Sequence, residues 1–335
     1  MMAWFRKLGL ALTLGIVFGG AVVAQDGEGI VVYNAQHDSL AKEWTAAFTA
    51  ETGIKVTLRK GSDLDMANQI VAEGAQSPAD VFLTENSPAM DVVNAAGLFA
   101  PVEADTLAQV PEAYRPADGK WVGIAARATV FVYDKTKLTE DKLPKSILDL
   151  ADPSWKGRWA ASPSGADFQA IVGAMLALKG EEVTAKWLTA MKENASIYRG
   201  NNNVLKGVNN QEVEGGVIYH YYYFNDQART GENSNNVGSY YFRNQDPGAF
   251  VSVSGGGVLA SSKHPKEAQA YLKWITGKGG QKILRDGNSY EYAVGNAEAS
   301  NPKLEPLDKL QAPLVDASKL DSKAVTRLMT QAGLL

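Results

Sequence analysis

The chain has 335 residues, no cysteine, and 37 acidic against 33 basic side chains, which gives a formal net charge of −4 at pH 7. An acidic balance disfavours nucleic acid and anionic membranes as partners. A chain without cysteine must be stable without disulfides, and a chain of this length buries a large enough core to do so and is long enough for two lobes.

The first segment has the pattern of a secretory signal peptide. Arg6 and Lys7 precede an apolar stretch over residues 8–23, and small residues lead to Ala24. A membrane-spanning helix needs about 20 predominantly apolar residues, and this stretch is shorter and interrupted by glycine. The pattern predicts a cleavable segment, residues 1–24, and export of the rest of the chain.

Apolar runs with strand character alternate with amphipathic stretches along the first third of the chain. Leu40, Trp44 and Phe48 recur at helical spacing, and Gly53 stands where that helix would end. This alternation is typical of an α/β fold. The predicted strands are residues 30–33, 54–58 and 80–84, and the predicted helices are residues 39–51 and 64–73.

Two short β-rich runs, residues 129–133 and 250–253, flank the central third of the chain. We interpret these runs as crossings between two lobes. Lobe one then comprises residues 25–128 and 252–302, lobe two comprises residues 129–251 and 303–335, and a helical tail is predicted at residues 323–332.

His37 and Glu85 each follow a predicted strand. Ligand groups cluster at the carboxyl ends of strands in open α/β sheets, so we expect both side chains to face one cleft. Imidazole and carboxylate are acceptable ligands for several metals. Taken alone, the two residues are equally consistent with solvated loop positions.

The run Tyr-His-Tyr-Tyr-Tyr-Phe-Asn at residues 219–225 places two phenols side by side, at Tyr221 and Tyr222. Successive side chains of a regular strand point to opposite faces, so both phenols reach one ion only on a different backbone. We therefore predict that a strand at 216–219 ends before Tyr221 and that a turn or a helix start follows. The alternative is an aromatic strand buried in the core.

Two neighbouring phenols offer hard oxygen donors that suit ferric ion. A free phenol has a pKa of about 10, so a metal must displace the proton from each hydroxyl. Only a strongly charged Lewis acid does this readily near neutral pH.

A candidate anion-binding loop, Ser-Pro-Ser-Gly-Ala-Asp at residues 162–167, precedes an apolar helical run over residues 168–178. Free amides at a helix start bind anions, and Gly165 permits close approach of the backbone. The alternative is ordinary capping, with Ser164 as the cap and Asp167 three residues later.

Two further residues are candidate partners of the same anion. Asn201 is the first of three consecutive asparagines and has an amide donor, although such clusters also mark turns. Arg127 stands just before the first crossing. It is otherwise a surface or inter-lobe arginine.

Four segments occur in a characteristic order: Val-Tyr-Asn-Ala-Gln-His at residues 32–37, Pro-Ala-Asp-Val-Phe-Leu-Thr-Glu at 78–85, Asp-Pro-Ser-Trp-Lys-Gly-Arg at 152–158 and Asn-Gln-Asp-Pro-Gly-Ala at 244–249. With them the chain resembles the periplasmic ferric-iron-binding proteins, the solute-binding components of iron(III) ABC transporters. The resemblance covers essentially the whole mature chain. It implies the type II periplasmic-binding-protein fold, an α/β architecture with two lobes joined by crossing hinge strands. It also implies a monomeric periplasmic protein, not an enzyme, that delivers iron to an inner-membrane ABC permease.

The resemblance also implies a set of site residues. The four protein ligands of Fe(III) would be His37, Glu85, Tyr221 and Tyr222, with a synergistic anion and a water completing the shell. The loop that holds the anion would be Ser164, Gly165 and Ala166, supported by Asn201. Tyr219 departs from the family pattern, because close relatives have an asparagine at that position, two residues before the tyrosine pair. The implied anion is phosphate, with carbonate second.

Two alternatives follow from the same residues. A protein of this fold that binds a polyamine, thiamine or phosphonate-like solute would use Tyr221 and Tyr222 as stacking faces and Glu85 as a counter-charge. A secreted metallo-hydrolase would use His37 and Glu85 around a zinc-bound water. The chain has three histidines and neither a His-Glu-x-x-His nor a Gly-x-Ser-x-Gly pattern, which disfavours the hydrolase.

Overall fold

The computed structural model describes residues 29–316 and 319–335. The predicted signal segment, residues 1–24, lies outside the described residues. Within the described ranges, no helix combines the length and the apolar character that crossing a bilayer requires.

Nine strands of the described residues form one mixed sheet. The strands are β1 Ile30–Asn34, β2 Val56–Lys60, β3 Val81–Leu83, β4 Val122–Asp134, β5 Trp159–Ala161, β6 Ala195–Ile197, β7 Gly215–Tyr219, β8 Val237–Tyr240 and β9 Val251–Val258. Their order across the sheet is β2-β1-β3-β9-β4-β7-β5-β6, and β8 also pairs with β4. Strand β1 is parallel to both β2 and β3, whereas β9 is antiparallel to β3 and β4.

Helices connect the strands and complete an α/β architecture, as the alternating sequence pattern predicts. They are α1 Asp38–Thr52, α2 Asp63–Glu73, α3 Pro88–Ala95, α4 Ala104–Leu107, α5 Ala166–Asn194, α6 Asn201–Asn209, α7 His220–Arg229, α8 Pro265–Thr276, α9 Lys278–Asp286 and α10 Ser322–Gln331. The predicted C-terminal helix is confirmed as α10, which packs against α5.

The predicted apolar face of the first helix is confirmed. Leu40, Trp44 and Phe48 are buried on α1. The helix ends at Gly53, whose φ of 75° lies in the left-handed region that glycine adopts without steric penalty. The indole of Trp44 also donates a hydrogen bond to the carbonyl of Gly280 at 3.0 Å, which ties α1 to α9.

Two predicted strands differ at their ends from the observed ones. Strand β2 runs from Val56 to Lys60, and before it the carbonyl of Ile54 accepts a hydrogen bond from the hydroxyl of Thr49 near the end of α1. Strand β3 is shorter than predicted. Before it, the carboxylate of Asp80 accepts from the backbone N–H of Val31 at 2.8 Å.

The first predicted crossing is part of a much longer strand. β4 has 13 residues, of which 122–128 pair with β9 and 129–134 pair with β7 and β8. Almost all of its side chains are buried, so it lacks the alternation that marks a half-buried strand. The second predicted crossing likewise extends, as β9, through the glycine run to Val258.

The helix after the candidate anion loop is also longer than predicted. α5 has 29 residues and contains a break at Gly180, where φ is 81° and ψ is 171°. The apolar run over residues 168–178 is therefore only its first half.

Candidate metal centre

His37 and Glu85 lie side by side at the edge where two parallel strands end. His37 precedes the first residue of α1, shortly after β1, and Glu85 follows β3. The Nε2 atom of His37 is 3.2 Å from Oε1 of Glu85, and both side chains are 25% exposed. Both line one cleft, because β1 and β3 are neighbours with a common direction.

The two tyrosines converge because the backbone changes from strand to helix between them and β7. The strand ends at Tyr219, and α7 begins at His220. The rings of Tyr221 and Tyr222 lie 4.1 Å apart, with an interplanar angle of 31°. This confirms the predicted change of backbone. The alternative of a buried aromatic strand is wrong.

The tyrosine pair also meets the histidine. The rings of His37 and Tyr221 are 4.8 Å apart in an edge-on arrangement. Residues that follow β1 and β3 and residues of α7, far apart in sequence, thus form one cluster. The structure brings together all four candidate metal ligands.

Asp167 is a site residue that sequence reasoning assigned only to helix capping. Its Oδ2 accepts hydrogen bonds from the hydroxyls of Tyr222 at 3.0 Å and Tyr221 at 3.5 Å. The amides of Asn201 and Asn86 donate to its two oxygens at 2.9 and 3.3 Å. A carboxylate therefore already stands between the phenols and the start of α5.

The capping alternative for the anion loop is wrong. The residue that caps α5 is Gly165, and no side chain of the described residues caps that helix. Ser164 and Ala166 are exposed, so the loop is accessible from solvent. Ser164, Gly165 and Ala166 remain predicted anion-binding residues.

Tyr219 lies deeper than the rest of the candidate anion set. It is fully buried, and its hydroxyl is 3.4 Å from Oδ1 of Asn86 and 3.3 Å from the carbonyl of Asp167. The ring also stacks under the guanidinium of Arg127 at 5.6 Å. The phenol fills space beside Asp167 and is not exposed to the cleft.

Arg127 is an internal counter-charge, and its interpretation as a surface arginine is wrong. Its side chain is fully buried. Arg127 Nη1 is 3.3 Å from Oε2 of Glu85 and 4.0 Å from Oδ1 of Asp167, and Nε is 3.7 Å from Oε2 of Glu291. Nη2 donates to Ser254 of β9 at 3.1 Å. One cation therefore faces three carboxylates.

Glu291 is the second residue that sequence reasoning missed. It is fully buried, and its Oε1 lies 2.7 Å from Nδ1 of His37. No motif marks Glu291, because it is more than 250 positions from its partner. A glutamate between two tyrosines, Tyr290 and Tyr292, was the only available signal.

The other two histidines, His220 and His264, do not line the cleft. His220 is fully buried, accepts a hydrogen bond from the backbone N–H of Ala128 at 3.2 Å, and stacks on Tyr292 at 4.7 Å. Burial lowers its pKa to about 4, so the ring is neutral at pH 7. His264 precedes α8.

The chain matches a known protein family. The sequence matches the bacterial extracellular solute-binding proteins over residues 76–319, well over half of the chain. The chain belongs to this family. The metallo-hydrolase alternative is therefore wrong, since the shared property of the family is solute binding.

Several iron-binding proteins are similar to this solute-binding protein. The Fe(3+)-binding periplasmic protein of Serratia marcescens is 64% identical over 326 residues, which cover 97% of this chain and 96% of the relative. The major ferric iron-binding protein of Neisseria meningitidis serogroup B is 38% identical over 308 residues, which cover 91% and 93%. The crystal structure of iron-bound HitA from Pseudomonas aeruginosa aligns with a TM-score of 0.86 and 40% identity over 91% of this chain and 99% of that one. These likenesses confirm the type II periplasmic-binding-protein fold.

The cleft of this solute-binding protein is open and polar. Its volume is about 740 Å³, far more than one metal ion fills. The four candidate ligands line it together with Asn202, Asn225, Arg229, Asn288 and Ser289.

Burial keeps both phenols protonated in the metal-free protein. It raises the pKa of Tyr221 and Tyr222 well above the ordinary value, and the negative charge of Asp167 raises both further. The hydroxyls therefore donate to Asp167 at neutral pH. Ionising them requires a cation that replaces both protons.

The carboxylates around His37 favour the protonated form of its imidazole. Burial acts to lower the pKa of His37, but the charge and hydrogen bond of Glu291 and the charge of Glu85 raise it above the ordinary value. Burial raises the pKa of Glu85, although His37 and Arg127 oppose that shift. The two side chains lie 3.2 Å apart, so the protonated imidazole and the Glu85 carboxylate stabilise each other.

Proposed function

We propose that this solute-binding protein captures Fe(III) in its cleft and delivers it to an ABC permease for iron uptake. His37, Glu85, Tyr221 and Tyr222 are the protein ligands. The observation that carries the proposal is the convergence of two phenol oxygens within 3.5 Å of one carboxylate oxygen of Asp167. The similarity to ferric-iron-binding proteins supports the same cargo.

The donor chemistry selects a hard, highly charged cation. Within the described residues, no group of three or more His, Cys, Asp or Glu side chains is arranged to hold a metal. A metal site here consequently needs the tyrosine oxygens. Two phenolates and the carboxylate of Glu85 balance the three charges of Fe(III), and hard anionic oxygens favour it over Fe(II).

The place of the synergistic anion has a competitor within the chain. Phosphate, with carbonate second, would lie against Ser164, Gly165 and Ala166, where free amides begin α5. The Asp167 carboxylate already contacts both phenols and Asn201. We propose that Asp167 supplies this negative charge when no anion is added, and that an added anion competes with it.

Capture is proposed to be a closure of two lobes. Lobe one is residues 25–128 with 252–302, and lobe two is residues 129–251 with 303–335. Strand β4, whose first half pairs with β9 and whose second half pairs with β7, would act as the hinge together with the second crossing at the start of β9. His37 and Glu85 then come from lobe one, whereas the tyrosine pair and Asp167 come from lobe two, so iron binding favours the closed form.

Localisation follows from the same proposal. Removal of residues 1–24 would release a monomer into the periplasm, where an inner-membrane permease reads the closed, iron-loaded form. The acidic balance of the chain suits docking on basic permease surfaces.

A spectroscopic titration tests the proposal. We expect the metal-free protein to become coloured when titrated with ferric citrate, because phenolate-to-iron charge transfer absorbs visible light. Tyr221→Phe and Tyr222→Phe should each lose much of the band. Tyr223→Phe is the matched control, since this neighbouring phenol lies on the same helix and makes no hydrogen bond to Asp167.

Anion dependence is measured in the same titration. Wild-type protein should bind iron without phosphate, and Asp167→Asn should need added phosphate or carbonate for comparable binding. A wild-type protein that stays colourless under every condition would refute the proposal of iron binding and would favour an organic solute. Colour that vanishes without phosphate in the wild type would refute only the role of Asp167.

A further inference from the structure

Glu291 is a buried carboxylate held from several sides. Its Oε1 contacts Nδ1 of His37 at 2.7 Å. Its Oε2 accepts hydrogen bonds from the Gln36 amide at 3.3 Å and from the Ser254 hydroxyl at 3.4 Å, and Arg127 Nε is 3.7 Å away. A buried charge with this many partners is fixed in position.

The backbone before Glu291 adopts a conformation that is uncommon for its residue type. Tyr290 has a φ of 55°, in the left-handed region. Directly after Glu291, the N–H and carbonyl of Tyr292 both pair with Ala126 of β4, at 2.9 and 3.1 Å. Backbone outliers persist where the surroundings fix them, and they occur often at functional sites. The left-handed residue and the anchored neighbour aim the Glu291 carboxylate into the protein.

The contact with Glu291 distinguishes the two nitrogens of His37. Nδ1 is occupied by Glu291, whereas Nε2 faces Glu85 and the cleft at 3.2 Å. An imidazole that keeps its hydrogen on Nδ1 has a free electron pair only on Nε2.

We infer that Glu291 is a positioning residue for iron capture: it holds the Nδ1–H of His37, so that Nε2 is the atom presented to Fe(III). This inference rests on the proposed function, in which His37 is an iron ligand. Histidines that bind metals commonly donate their other ring N–H to a carboxylate, which fixes the tautomer and orientation of the ring and strengthens it as a ligand.

A purely structural role is the competing explanation, in which Glu291 only balances the buried charge of Arg127. Replacement of Glu291 by glutamine distinguishes the positioning role from the charge-balancing role. Glutamine at position 291 can still accept a hydrogen bond from Nδ1–H of His37, but it has no charge for Arg127. Alanine replaces neither function.

The tautomer of His37 is the readout that charge balance alone would not change. Metal-free protein labelled with ¹⁵N at histidine is measured by NMR at a pH where the ring is neutral. We expect the Nδ1–H tautomer in the wild type and in Glu291→Gln, and a shift toward Nε2–H in Glu291→Ala. An unchanged tautomer in Glu291→Ala would overturn the inference.

Iron affinity is the second readout, measured by competition with citrate. We expect Glu291→Ala to bind Fe(III) roughly 10–100-fold more weakly, and Glu291→Gln to lose less. Glu112→Ala is the control, because the Glu112 side chain is 93% exposed and lies outside the cleft. Wild-type affinity in Glu291→Ala would also overturn the inference.

Failure of the underlying function is a distinct result, since the wild type itself would then bind no iron. Should Glu291→Ala not fold, Glu291→Asp replaces it. The shorter side chain keeps the charge beside Arg127 but withdraws from Nδ1 of His37, so the same shift in tautomer and loss of affinity are expected. Glu291→Asp protein that keeps both the wild-type tautomer and the wild-type affinity refutes the positioning role.

Discussion

Replacement of Arg127 by methionine tests how the buried acidic cluster is balanced. The guanidinium faces three carboxylates at 3.3, 3.7 and 4.0 Å. Each such pair has a gross attraction of about 4–5 kcal/mol at an effective dielectric constant of about 20. Methionine has a similar length but no charge, so the carboxylates that remain must repel one another or take up protons.

Proton uptake limits the loss of stability. Removing one partner of a buried charge cluster destabilises a protein by roughly 3–5 kcal/mol. For about 300 ordered residues, this corresponds to a fall in Tm of about 5–8 °C. Arg127→Met should therefore fold but should melt clearly below the wild type.

The loss of stability in Arg127→Met should depend on pH. Arg127 acts to lower the pKa of Asp63, Glu85 and Glu291, so its removal raises all three. A carboxyl group whose folded pKa is raised binds its proton more tightly in the folded state, and its stability contribution grows as pH falls. The difference between Arg127→Met and the wild type should accordingly be larger at pH 7 than at pH 5.

Urea unfolding of the metal-free proteins, followed by circular dichroism at both pH values, measures this difference. Arg59→Met is the matched control. Arg59 also lies over a tyrosine ring and pairs with Glu73 at 3.9 Å, but its side chain is 51% exposed, and such pairs contribute about 0–1 kcal/mol. If Arg127→Met unfolds within about 1 kcal/mol of the wild type at pH 7, the electrostatic reasoning is refuted.

Three further changes test other parts of the fold. His220→Gln keeps an acceptor for the Ala128 N–H. Because the neutral buried ring has a pKa of about 4, the wild type should lose stability as the pH falls from 6.5 to about 4, and the variant should lose less. Urea midpoints measure both losses, and equal losses would contradict this. Gly53→Ala should destabilise by about 1–2 kcal/mol, because φ is 75° there; thermal melts identical to the wild type would exclude strain. Asn86→Ala removes one N–H donor from each of two buried carboxylates, Asp63 and Asp167. It should destabilise the protein by about 1–3 kcal/mol in urea unfolding. An unchanged midpoint would mean that water replaces the amide.

Local patterns in the sequence predicted α1, α2, α10, the first half of α5 and the change of backbone at the tyrosines. The spacing of Leu40, Trp44 and Phe48, with Gly53 after them, determines α1 because amphipathic spacing and a helix-ending glycine act within one segment. The same holds at Tyr221 and Tyr222, since two adjacent phenols cannot meet on a regular strand. The ordered segments also predicted the family and the fold.

Tertiary structure decided which charges surround the predicted ligands. Glu291 meets His37 across 254 positions of sequence, and Asp167 reaches the phenols from the start of another helix. No local pattern encodes these contacts, because they depend on which strand ends the sheet order places together. The length of β4 could not be predicted from the sequence either, because a strand buried on both faces has no alternation of polar and apolar residues.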